Sequence, residues 1–354
     1  MLGNRRLVLD SFCEIGDLLR PWANEIFWDF NQLKIIPGSI YVFGRNTFFS
    51  HIDAIRQLVL SGEVTVVFSN PHEGSWTMLG QLDRLNMFTL AQEEKYLIVG
   101  GGDMQTDIPY LRFDSFLPKV LDYEENIKAQ ADYHANWSNK RPYKFLFLNG
   151  RGRAHRRQLL QRLQPVLDQA IWTNLDSAAG LVQTLPKEYE FDFYRSNTTT
   201  DAGYVKYELF NNNWGEIYLA ARPYLDTHFS LVTETVFEYP YSFRTEKIAK
   251  PLAMAHPFVV VSNQGFYRDL HNLGFKTFGH VVDESFDLIE NNDARLERIA
   301  QVVEDLCRQD LAKFSEECYN ICKYNQHRLA ELQHSIRQEF PQRFEQFINE
   351  RSRV

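Results

Sequence analysis

Short apolar runs alternate with amphipathic segments along most of this chain, which predicts strands and helices in turn. In the first third, Ser39–Phe43 (SIYVF), Glu63–Ser69 (EVTVVFS) and Lys95–Gly100 (KYLIVG) read as strands. Helices are predicted between them, over Phe49–Ser61 and around Thr77–Leu85, and a Gly100-Gly101-Gly102 turn ends in Asp103. Strands separated by helices imply a parallel sheet in an α/β unit.

Polar composition from Glu124 to Pro142 predicts a linker near residue 138, after which Tyr143–Leu148 (YKFLFL) restarts a strand. A helix over Ala154–Leu167, a strand at Ala170–Thr173 and a polar, aromatic loop from Lys187 to Trp214 follow. Val259–Val261 is another apolar run of strand length, broken by Ser262-Asn263-Gln264-Gly265 and followed by a helix over Tyr267–Leu273. From Asp293 onward Leu296, Ile299, Val302, Val303 and Leu306 recur at helical spacing, and Leu311, Phe314, Cys318, Ile321 and Cys322 continue it. The tail from Asn325 is a charged helix expected to break at Pro341. The organisation predicted is a Rossmann-like domain at 1–138, a second at 139–325 and a helical tail at 326–354 that crosses back to the first.

At 354 residues, 44% hydrophobic and 14% aromatic, the chain can bury two cores. A net charge of -8 weighs against a surface built for phosphate backbones. The N-terminus MLGNRRLVLDSFCEIGDLL carries Asp10, Glu14 and Asp17 and so lacks the apolar core of a signal peptide, and no apolar run approaches membrane-spanning length. Cys13, Cys307, Cys318 and Cys322 are too scattered for a disulfide scaffold and fit buried thiols in a reducing, cytoplasmic setting. No Cys/His cluster has zinc spacing and no Asp-any-Asp pair precedes a sugar site, so no metal or other cofactor is expected.

Four constellations could carry chemistry. Leu148-Asn149-Gly150-Arg151-Gly152-Arg153-Ala154-His155-Arg156-Arg157 joins a strand to a helix. Its glycines permit a tight turn with exposed N–H groups, the helix N-terminus is electropositive, and the arginines supply forked donors, a combination suited to a diphosphate. The alternative is that the arginines are solvated or paired with carboxylates; a full dinucleotide fingerprint is absent because position 155 is His. Second, Thr233-Glu234-Thr235 precedes Phe243-Arg244-Thr245-Glu246-Lys247, where Thr245 is a plausible N-cap. Glu246 could then accept from a ribose diol and Lys247 meet a phosphate, or Glu246 could simply complement the helix end, with Pro251 kinking the helix one turn later.

Third, the loops after the early strands offer Glu73, then Asp103, as a base that takes a proton from an attacking hydroxyl, although either could be an ordinary loop carboxylate. Fourth, Tyr204, Tyr207, Phe210, Trp214 and Tyr218 interleave with Asn211, Asn212 and Asn213, a pattern of sugar clefts that core-edge packing explains better. His228 and His256 are expected to be structural.

Glu234 followed by Thr245-Glu246-Lys247, a helix and the strand Pro257–Val261, with Asn149 and Arg156 ahead, resembles the donor-binding region of GT-B glycosyltransferases of the fucosyltransferase-like and exostosin-like group. The resemblance covers Tyr143 to Glu290. It implies two Rossmann-like domains across a cleft, with Glu246 on the ribose, Lys247 and Arg156 (with Arg151 and Arg153) on the diphosphate and Glu234 on the sugar or its nearby phosphate. The residue after the first Glu is Thr235 where fucosyltransferases carry Asn, and the spacing to Thr245 is longer, so the sugar stays open. The function implied is metal-independent, inverting transfer from a nucleoside-diphosphate sugar to an acceptor glycan, small molecule or modified DNA base. A sugar-nucleotide epimerase or hydrolase and a non-catalytic binding protein are the alternatives.

Overall fold

The computed structural model describes residues 5–103, 107–150, 152–176, 183, 185, 189, 194–199, 205–209, 217–238 and 242–351, with the backbone alone at 73–79, 194–199 and 205–209. The chain forms two compact units: residues up to Ser115 together with those from Leu332 onward, and Phe116–Glu331.

The first unit is built on β1 (Leu7–Asp10), β2 (Glu25–Phe27), β3 (Ile40–Gly44), β4 (Thr65–Gly74), β5 (Leu97–Gly101) and β6 (Tyr110–Arg112). All pair in parallel, in the order β2-β1-β3-β4-β5-β6. Both faces are covered. Leu7, Leu9, Val42, Val67 and Val99 lie in one cluster, and Val8, Tyr41, Phe43, Val66, Phe68 and Ile98 in another with Phe48, Ile55, Val59 and Leu82. Side chains alternate between faces along a strand, so burial on both sides explains why these segments read as unbroken apolar runs. β1, β2 and β6 have four, three and three residues, too few to register as periodicity.

The first cluster is closed by Phe340, Phe344, Phe347 and Ile348 of the helix Leu311–Arg351. The break expected at Pro341 does not occur, since the helix continues through that residue. Proline in a helix interior costs about 3 kcal/mol. Burying Phe340, Phe344 and Ile348, all almost fully enclosed, offsets it at about 1.5–3 kcal/mol per side chain.

The second unit contains β7 (Tyr143–Asn149), β8 (Ala170–Asn174), β11 (Thr227–Thr233) and β12 (Phe258–Val261), parallel in the order β12-β11-β7-β8. Between them β9 (Tyr194–Thr199) and β10 (Val205–Leu209) pair antiparallel, within the stretch expected to be loop. The polar segment expected as a linker is mostly the helix Glu124–Asn136, and the division between units falls after Ser115 instead of near 138. Asn126 anchors that helix: its amide donates to the carbonyls of Val120 (2.7 Å) and Ile217 (3.1 Å) and accepts from the Leu219 N–H (2.8 Å). A buried stripe made of Asn126, Ala129 and Tyr133 leaves most of the helix polar. The helix after β7 runs over Ala154–Arg162 and passes into a tighter turn at Gln164–Gln169, with Pro165 at its start.

The strand orders locate one feature in each unit. From β7 the chain steps to β8 on one side and then returns to β11 on the other, so connections leave in opposite directions between β7 and β11. The same reversal separates β1 from β3 in the first unit. Open parallel sheets bind ligands in the crevice outside the strand carboxyl ends at such a reversal.

Candidate functional site

At the β7/β11 reversal the strand ends are laced together by side chains. Asn149 Oδ1 accepts from the Thr233 hydroxyl (2.6 Å), and the Asn149 N–H donates to Thr173 Oγ1 (3.0 Å). Gly152 follows in the turn, where a Cβ would lie 1.8 Å from Asp176 Oδ2, so only glycine allows the buried Asp176 carboxylate to approach. That carboxylate pairs with Arg157 at 2.7 Å.

The next two residues of the turn's helix reach across to β11. Arg156 donates to the carbonyls of Thr233 (2.8 Å) and Glu234 (3.3 Å), and His155 Nε2 donates to the Glu234 carbonyl (3.1 Å). His155 stacks on Phe237 at 5.0 Å. Burial, with the Arg156 guanidinium beside it, pushes its pKa down to about 3, so it is a neutral donor. Two of the turn's arginines are therefore engaged with protein groups.

The Glu234 side chain is 0% exposed and accepts from the Thr245 hydroxyl (2.6 Å), the Thr245 N–H (3.1 Å) and the Thr235 N–H (3.3 Å). Thr245 in turn caps the helix Glu246–Ala253 by accepting from the Lys247 N–H (3.2 Å). The result is a chain of contacts from β11 through Glu234 and Thr245 to the first helical turn. There Glu246 and Lys247 form an ion pair, and Lys247 Nζ also reaches Thr245 Oγ1 (3.2 Å). Pro251 lies inside this helix, which runs on through Ala253.

Charge is distributed unevenly among these groups. Burial raises the Glu234 carboxyl above its ordinary value, with the Lys247 charge opposing. Burial also acts to raise Glu246, but Lys247, by charge and hydrogen bond, and then Lys250 outweigh it and hold that carboxyl below its ordinary range. Glu246 thus stays an ionised acceptor next to an ammonium that is 26% exposed.

The structure brings together Arg156, Glu234, Thr245, Glu246 and Lys247 of the expected donor residues. Arg153 sits at the N-cap of the helix Ala154–Arg162 with extended backbone, and Arg151 lies outside the described residues. In the first unit Glu73 falls on β4, where only the backbone is described. Asp103 pairs with Arg112, which also holds Asp114 at 2.6 Å. Tyr204, Phe210, Trp214 and Asn211–Asn213 lie outside the described residues, Tyr207 is described by backbone alone, and Tyr218 packs on Tyr123 at 4.7 Å. His228 binds Ser315 (2.8 Å), while His256 binds Ser230 (3.0 Å) and the Thr227 carbonyl (2.8 Å), so both are engaged in the core.

Polar residues that the sequence pattern did not single out lie at and after the end of β1 and on β4, where Asn70 sits opposite Gly100 of β5. Asp10 accepts from the N–H groups of Phe12 (3.1 Å) and Gly44 (3.0 Å). Glu14 accepts from the Ser69 hydroxyl (3.2 Å), and burial, with a contribution from Asp10, raises its carboxyl to about 7. Asn70 is 1% exposed, yet neither its amide nitrogen nor its oxygen has a hydrogen-bond partner. An unmet buried polar group costs about 1–3 kcal/mol, which calls for an explanation. Reading LVLD as a strand would have placed Asp10 at a carboxyl end; nothing local announces Asn70.

The four cysteines are buried free thiols. Among the described residues no group of three or more His, Cys, Asp or Glu side chains is arranged to hold a metal ion, and no helix is long and apolar enough to cross a membrane. No protein-family model matches the chain, and no curated protein is significantly similar to it.

Proposed function

We propose that this protein is a glycosyltransferase of GT-B type, in which the second unit binds a nucleoside-diphosphate sugar and the first supplies the acceptor site and the base. The observation that carries the reading is the Thr245-Glu246-Lys247 turn, held from beneath by Glu234 beside the β7/β11 reversal. Such a turn offers an ionised carboxylate to a ribose diol, an ammonium to a diphosphate, and free N–H groups at a helix N-terminus.

Arg151 and Arg153 are assigned to the diphosphate side, Arg156 to bracing the end of β11 through the Thr233 and Glu234 carbonyls, and Glu234 to positioning the cap, since its own carboxylate is enclosed by Thr235 and Thr245. Cationic groups and the helix end would stabilise the leaving diphosphate electrostatically, and the sugar is transferred with inversion. The acceptor hydroxyl belongs to a glycan or small molecule; a DNA base is disfavoured by the net charge of -8.

Calorimetric titration with nucleoside diphosphates and nucleotide sugars tests the reading. At least one should bind, and Glu246→Gln with Lys247→Ala should weaken it at least about tenfold, about 1.4 kcal/mol. Absence of binding to every diphosphate nucleotide and nucleotide sugar would overturn it. Conversion of a nucleotide sugar without added acceptor would point to an epimerase or hydrolase instead.

A further inference from the structure

A single hydroxyl links a partly exposed ammonium to an enclosed carboxylate at the start of the helix Glu246–Ala253. Lys247 Nζ donates to Thr245 Oγ1 (3.2 Å), and the Thr245 hydroxyl donates its own proton to Glu234 (2.6 Å). The same oxygen accepts the Lys247 N–H (3.2 Å), so both of its lone pairs and its proton are in use. The Glu234 carboxylate, 0% exposed, accepts from that hydroxyl and from the N–H groups of Thr245 (3.1 Å) and Thr235 (3.3 Å), all of them neutral donors. A buried anion held by neutral donors depends on a nearby cation, and the cation that favours it here is Lys247, one hydroxyl away.

The other charged groups around Glu234 keep their state. Glu246, in the same helical turn, is held ionised because the charges of Lys247 and Lys250 outweigh its burial. Arg156, on the helix after β7, donates to the Glu234 carbonyl, and Arg244 is buried just ahead of the Thr245 cap; guanidinium groups stay charged. His155, on the same carbonyl, is neutral because burial brings its pKa down to about 3. That leaves the Glu234 carboxyl, which burial moves up from its ordinary value against the Lys247 charge.

Under the donor-binding reading, on which the proposal rests, a diphosphate engages the Lys247 ammonium and draws it off Thr245 Oγ1. The cation that sustained the buried carboxylate is then shared with the charges of the ligand. We propose that nucleotide-sugar binding at this turn is coupled to the uptake of a proton by Glu234. The proton comes from solvent and settles on the carboxylate oxygen facing Thr245. The new O–H donates to the lone pair that Nζ has vacated, and the hydroxyl's own proton turns to a phosphate oxygen. The buried charge is thus removed as the ligand's charge arrives, and two negative groups do not oppose each other in a low-dielectric interior. Because the bound state holds more protons than the free one, binding strengthens as pH falls.

Calorimetric titration of the full chain with a panel of nucleotide sugars, in buffers of different ionisation enthalpy from about pH 5 to about pH 8, counts the protons exchanged. Nucleotide sugars are the right probe because their diphosphate is esterified at both ends and lacks the phosphate ionisation near about pH 6. The binder should take up about 0.3–1 proton at the pH of strongest linkage, and its affinity should fall as pH rises across that range. Glu234→Gln, neutral throughout, should lose the uptake and bind with an affinity that no longer varies with pH. Carbon-13 NMR of the Glu234 carboxyl in the wild type needs no variant to fold, and its titration midpoint should move to higher pH when ligand saturates the site. Binding without proton uptake, uptake unchanged in Glu234→Gln, or a carboxyl midpoint that ligand does not move would overturn the proposal and leave the donor-binding reading standing. Failure of every nucleotide sugar and nucleoside diphosphate to bind would remove both.

Discussion

If Glu234 supports the Thr245-Glu246-Lys247 turn from below, removing its carboxylate should loosen the helix start even though no solvent reaches it. The carboxylate accepts from two N–H groups and one hydroxyl at 2.6–3.3 Å. Alanine would leave the Thr245 hydroxyl and N–H buried without a partner, at about 1–3 kcal/mol each, so Glu234→Ala should cost about 3–5 kcal/mol. Glu234→Gln keeps one acceptor oxygen and removes a buried charge, and should cost less, about 1–2 kcal/mol. The pH dependence has a definite sign. Burial raises the folded-state pKa above the ordinary 4.5, so Glu234 contributes most when protonated and loses stability as pH rises from there through its folded value. Glutamine does not titrate, so the deficit of Glu234→Gln should be largest near about pH 4 and shrink towards about pH 7. Urea midpoints at the two pH values give the free energies, and hydrogen exchange at the Thr245 and Lys247 amides shows whether the loss is local. An alanine variant within about 1 kcal/mol of wild type, with unchanged exchange there, would refute the reasoning.

Further outcomes follow from other contacts. Gly152→Ala should destabilise by about 1–3 kcal/mol in thermal unfolding because its Cβ meets Asp176, whereas Gly150→Ala, which meets nothing within 4 Å, should be near neutral. Phe344→Ala should cost about 3–5 kcal/mol by denaturant unfolding if the helix end is core to the first unit; a loss under about 1 kcal/mol would contradict that packing. Burial raises the Glu14 carboxyl to about 7, so the folded state should lose stability as pH rises from about 4.5 through about 7, and Glu14→Gln should remove that part of the pH dependence in thermal unfolding.

Much of this architecture was legible because burial on two sides writes itself locally. Tyr143–Asn149 and Phe258–Val261 are apolar runs that fit only covered strands, and the Thr245 cap announces itself by residue type and position. The helix Glu124–Asn136 was hidden because its buried stripe is short and partly polar, with Asn126 satisfied by carbonyls of Val120 and Ile217 far apart in sequence. Pro341 misled for the opposite reason: a local penalty is outweighed by Phe340 and Phe344, whose burial depends on residues near the other end of the chain.

The same division runs through the candidate sites. Residue types alone determined that a carboxylate and an ammonium open the helix at Glu246 and that four arginines crowd the turn after β7. Tertiary structure alone decided that Glu234 is enclosed beneath Thr245, that Arg157 meets Asp176, and that Glu14 meets Ser69 of β4 while Asn70 is buried without a hydrogen-bond partner. Propensity and capping act over a few residues and are readable along the chain, whereas strand order, burial and the partners of a charge are set by contacts between distant segments.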